Sequence, residues 1–148
     1  MHQSDCLIKA VMECLRARFK EDENSPDGFP IPLKMGVDED REGKEYALFQ
    51  VSELGEIIPG HRTFHAGVSV DLFLCPEDRT TDEIRVIQAW LEEGLRKVDC
   101  EGLNAVEKSA SMRNFLVIGA VRLVPAEEVA AHDSVIAVGW KMTVPVQF

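Results

Sequence analysis

Long apolar runs are missing from this chain of 148 residues. No stretch approaches the ~20 residues that a bilayer-spanning helix requires. The opening, "MHQSDCLIKAVMECLRARFKED", lacks a basic start followed by an apolar block, so no secretory signal is expected and the expected location is the cytosol. Cysteine pairing patterns are missing too. Cys6, Cys14, Cys75 and Cys100 are scattered, without C-x-x-C or zinc-type spacing, which predicts reduced, mostly buried thiols. Basic residues are few: 16 Lys and Arg stand against 26 Asp and Glu, a net charge of −10. That balance disfavours phosphate-backbone binding. An acidic wall lets DNA pass without holding it, yet charge alone does not separate that role from solubility. The phosphate loops G-x-G-x-x-G and G-x-x-x-x-G-K-[ST] do not occur, nor do G-x-S-x-G or H-E-x-x-H. Basic and aromatic residues do not interleave along a strand, so the RNA-binding sheet pattern is missing as well.

What is present reads as one globular domain over residues 1–148, with 45% hydrophobic and 28% charged residues. Leu7, Ile8, Val11, Met12, Leu15 and Phe19 form one stripe and predict a helix over about 4–19, with Ser4 as N-cap. Residues 21–45 are rich in acids, Pro and Gly and predict an irregular arm or loop. "YALFQVSELGEIIPG" supplies one or two short strands of unsettled register. In "TFHAGVSVDLFL", Phe64, Ala66, Val68, Val70, Leu72 and Leu74 alternate with more polar positions, a strand with one buried face. Pro76 ends it, and "TTDE" makes a capping box on Thr80 for a helix through Ile84, Ile87, Leu91, Leu95 and Val98.

A polar connection is expected near "DCEGLNAVEKSASMRN". "FLVIGAVRLV" then reads as a central strand, "PAEEVAAHD" as one or two turns, and "SVIAVGWKMTVPVQF" as an alternating strand. Pro145 in that strand predicts that its end lies at a sheet edge or runs past it. The expected fold is α+β: a mostly antiparallel sheet with two main helices packed on one face, plus the acidic, Pro-containing arm. The second sheet face is left for solvent or another subunit.

The residue chemistry is sparse. His61 and His65 are four apart on an expected strand, ~13 Å at ~3.3 Å per residue, too far to chelate one ion. His65 and Cys75 are ten residues apart on the same strand and cannot meet as a nucleophile and its base. Trp90 and Trp140 fall at core positions. "PEDRTTDE" is better explained by a turn and a cap than by a carboxylate pair. No catalytic, cofactor-binding or metal-ligating residue is assigned, and no enzyme activity is expected.

The strand–helix segment "HRTFHAGVSVDLFLCPEDRTTDEIRVIQAWLEEGLRKV" and the closing "NFLVIGAVRLVPAEEVAAHDSVIAVGWKMTVPVQF" resemble the tail-terminator, or tail-completion, proteins of long-tailed bacteriophages and prophages. The likeness spans about residues 45–148, plus the first helix by position. It implies a structural subunit that forms a ring, a hexamer, on the head-proximal end of the tail tube. Its partners would be copies of itself, the tail-tube and head-completion proteins, and DNA passing through the lumen without specific binding. It further implies no cofactor and no membrane, and a location in the host cytoplasm and then the virion. Segment 21–45 is long for a minimal member and would be an arm reaching a neighbour. The interface candidates are Phe29, Ile31, Pro32 and Leu33 in that arm and Phe73 on the sheet. Three other readings stay open: a head–tail connector or other prophage structural subunit, a small-molecule-binding or hydrolytic domain around Cys75 and His65, and a cellular adaptor.

Overall fold

The computed structural model describes residues 3–21, 32–36, 45–75, 77, 79–109, 115–132 and 135–148. Among these described residues, three helices and six strands follow in the order α1 (Gln3–Glu21), β1 (Leu33–Met35), β2 (Tyr46–Ile58), β3 (Thr63–Leu74), α2 (Thr81–Arg96), α3 (Cys100–Ser109), β4 (Leu116–Val117), β5 (Arg122–His132) and β6 (Val135–Gln147). The fold is α+β. All strands join one sheet in the order β1-β2-β3-β6, with β4 and β5 sharing the far edge of β6. Every pairing is antiparallel except that of β1 with β2.

Alternation decides which sheet face is dry. Ala66, Val68, Val70, Leu72 and Leu74 of β3 are fully buried, as are Met142, Val144 and Val146 of β6. Phe49 of β2 joins this face, opposite Val70. The helices supply the facing layer: Leu7, Val11 and Leu15 from α1, Leu91 and Leu95 from α2, and Leu103 from α3. Burying such a side chain contributes about 1.5–3 kcal/mol each, so this layer is the main source of stability. Trp140 is in the core, with its indole Nε1 donating to Glu92 of α2 at 3.2 Å, while Trp90 is half-buried.

Several expectations change on folding. α1 begins at Gln3, which places Ser4 inside the first turn rather than at the cap. α3 replaces the expected polar connection. Asp99 caps it, accepting from the Gly102 amide at 2.7 Å, and Leu103 anchors it in the core. Within the segment expected to be an irregular arm, Leu33–Met35 forms β1. "FLVIGAVRLV" is not a central strand. It breaks after Val117 and resumes at Arg122 as an edge strand, which runs through the residues expected to form turns.

Pro145 accounts for the break. It lies within β6, an inner strand, and its carbonyl accepts from Ile118 at 2.9 Å. Its nitrogen, on the same side, has no proton to offer, so the ladder lapses where residues 118–121 pass by. A Cβ on Gly119 would lie 3.1 Å from the Pro145 ring, tight enough that the ring would have to give by a few tenths of an ångström.

A candidate docking surface

The second sheet face can be read row by row from the register. Gly55, His65 and Pro145 lie side by side across β2, β3 and β6, with Ile118 beyond. Next to that row come Ile58, Thr63, Gln147 and Leu116. On the other side stand Glu53, Gly67, Thr143 and Arg122. Ile58 is 50% exposed, Leu116 50% and Ile118 44%, so one end of this face carries large apolar side chains in water.

The same end projects. Every residue from 52 to 62 is exposed, including Leu54 and Ile57 as well as Ile58. The turn is built on Gly60 and Arg62, both at positive φ, and the Phe148 amide donates to the Arg62 carbonyl at 3.0 Å. β1 pairs only with Ala47–Phe49, so among the described residues Gln50–Ile58 presents an unpaired strand edge. Bulges between Val51 and Glu53 and between Glu56 and Ile58, together with the two glutamates, limit which strands it accepts. On the sheet, Glu53 forms an ion pair with Lys141 of β6. The pair closes over Gly67, where a Cβ would come within 2.7 Å of the Glu53 side chain.

At the opposite end the face is closed. Tyr46 and Phe73 stack with centroids 4.8 Å apart, and the Lys34 ammonium sits 4.7 Å over the Tyr46 ring. Three of the five sequence candidates lie at this end of the sheet, Leu33 on the helix-covered side. Pro32 is exposed, and its carbonyl accepts from Ala47 at 2.9 Å. Leu33 is half-buried against the core. Phe73 is half-buried beside Tyr46. Phe29 and Ile31 lie outside the described residues. The exposed residues of the hairpin end escape the sequence reading, because alternation assigns sides to a strand without revealing where its helical cover stops.

The corner after β3 is a clasp. Glu45 accepts from Arg79 Nε at 2.8 Å and from the Cys75 amide at 2.9 Å. Partial burial pushes its carboxyl up, but the Arg79 hydrogen bond, the Cys75 amide and the Arg79 charge together hold it below the ordinary value of 4.5. Cys75 is buried at this corner, while His65 is near the far end of β3, so the two do not form a site. His61 lies in the hairpin turn and His65 on the strand, both exposed. Among the described residues no three His, Cys, Asp or Glu side chains cluster as a metal site would require, and no helix is long and apolar enough to cross a membrane.

Between the ends of α1 and α2 and the start of α3 is a groove of about 320 Å³, lined in part by Cys14, Arg18, Lys97 and Asp99. Burial, then Asp99 and Glu13, push the Cys14 thiol up to about 11, which leaves it an unreactive thiol at neutral pH. Asp99 is committed to the α3 cap and Lys97 to Glu93 at 2.9 Å.

No family model and no curated protein matches the chain. Among solved structures, one overlays 97% of this chain and 95% of its own at 17% identity, with a TM-score of 0.46. Fold and surface define an α+β protein with one helix-covered sheet face and a second face that, among the described residues, is closed around Tyr46 and open at the hairpin end.

Proposed function

We propose that this chain is a structural virion subunit of the tail-terminator kind, which assembles into a ring, caps the tail tube and joins it to the head. One observation carries the reading: a sheet packed by helices on one side extends, uncovered, into a hairpin that exposes Leu54, Ile57 and Ile58. Exposed apolar side chains grouped on a projecting element favour contact with another macromolecule. The net charge of −10 supports a lumen through which DNA slides without adhering. Subunits would accumulate in the host cytoplasm before entering the virion.

Electron microscopy of tail-tube protein polymerised with and without this protein tests the reading. Tubes of bounded length carrying a ring at one end are the expected result. Tubes that grow without limit in its presence overturn it. Rings that bind head shells but not tubes would instead favour a head–tail connector.

A further inference from the structure

We infer that successive copies of this chain dock head to tail, the β2 edge of one copy against the β4/β5 edge of the next. The inference deepens the ring reading by naming the surfaces, but it requires neither a tail nor a phage. It starts from the match between the two lateral edges of one sheet. β2 is antiparallel to β3, β3 to β6, and β6 to β4 and β5, so β2 and β4/β5 run in opposite directions. A second copy placed beside the first in the same orientation therefore continues the antiparallel order.

The rows match as well. In the same three rows, β2 offers Ile58, Gly55 and Glu53, where the far edge offers Leu116, Ile118 and Arg122. Edge to edge, Ile58 meets Leu116, the open Gly55 position meets Ile118, and Arg122 comes beside Glu53, whose carboxylate is already paired with Lys141 of its own chain and would be shared. A Cβ on Gly55 would touch nothing within 4 Å, so this position has room for a neighbouring side chain. A single chain carries both halves of the match, which is what singles out a second copy as the occupant. Because the two edges differ, the contact is heterologous, and repetition gives a ring if the rotation closes. Main-chain pairing is restricted to β5. At Val117 the Asn104 side chain already accepts from the amide at 2.8 Å and donates to the carbonyl at 3.0 Å, so that row packs by side chains. The bulges and glutamates of β2 exclude an arbitrary strand and leave one that brings apolar groups and a cation.

The test is sedimentation of the purified protein together with cysteine cross-linking. Gly55 and Ile118 are three strand spacings apart within one chain, about 14 Å, beyond the ~7 Å reach of a disulfide. Under mild oxidation the Gly55→Cys/Ile118→Cys variant should give a ladder of covalent dimers, trimers and higher species. Each single variant and the parent chain, with its native cysteines, should give no such ladder. Ile118→Asp should weaken association by about tenfold or more while the circular dichroism spectrum is kept. A parent chain that stays monomeric up to ~1 mM, a double variant that forms no ladder, or association indifferent to Ile118→Asp each overturns the inference. An oligomer that cross-links as expected but leaves tube length unbounded sinks the terminator reading and leaves this one standing.

Discussion

Two side chains tie together segments far apart in sequence, and each has a measurable signature. Glu45 joins the start of β2 to the corner between β3 and α2 through Arg79 and the Cys75 amide. Its folded pKa is below its ordinary value, so its contribution is present above about 4.5 and is lost as pH falls through the folded value. Glu45→Gln should lower stability at pH 7 by about 1.5–3 kcal/mol, the range for hydrogen bonds to a charged group. Urea unfolding at pH 7 and pH 3 checks this: the gap between variant and parent should shrink at the lower pH. Asn104 does for β4 what a neighbouring strand would do, donating to and accepting from Val117. Asn104→Leu leaves the Val117 amide unsatisfied and its carbonyl with only the Cys100 thiol at 3.2 Å, and should cost about 1–3 kcal/mol. Faster hydrogen exchange at the Val117 amide would locate the damage. Asn104→Asp keeps the acceptor and should protect that amide better than Leu does.

At the scale of elements, legibility tracked how much of a segment's pattern was set by the segment itself. β3 and β6 alternate over their whole length and α1 and α2 carry one stripe each, so their faces are readable from the residues. α3 is short, with Gly102 and Asn104 in its first turns. Its readable signals were Asp99 as a cap and the spacing of Leu103 and Val106, too few to outweigh its polar composition. The split of β4 from β5 was hidden for a different reason. The cause is on β6, at Pro145, and takes effect only once the strands pair. Pro125 likewise falls within the register shift between Val124 and Glu127 on an edge strand, where a missing N–H is tolerated. The break can be tested as a coupling. Gly119→Ala should destabilise the parent chain, because the new methyl meets the Pro145 ring, and should be nearly neutral in a Pro145→Ala background. A double-mutant cycle from thermal unfolding should give at least ~0.5 kcal/mol of interaction. Additive effects would separate the break from the proline. The candidate surface was legible only in part, since Pro32, Leu33 and Phe73 mark the closed end of the sheet and not the projecting one.

At the scale of the molecule, charge and apolar surface act against each other, and salt shows which controls assembly. Two copies with a net charge of −10 each repel at low ionic strength. The Debye length shrinks from ~30 Å at ~0.01 M to below ~8 Å above ~0.15 M, which removes most of that repulsion. An exposed ion pair such as Glu53 with Arg122 of a second copy contributes only ~0–1 kcal/mol and weakens over the same range. Apolar contact at Ile58, Leu116 and Ile118 does not weaken with salt. Association should therefore rise between ~0.01 M and ~0.5 M NaCl, read as a growing mean mass in sedimentation velocity. Binding to duplex DNA, were it to occur through a hidden basic patch, would fall steeply over the same interval. Self-association that falls with salt would mean that charge pairs hold the copies together, and the apolar rows would lose their place as the source of the contact.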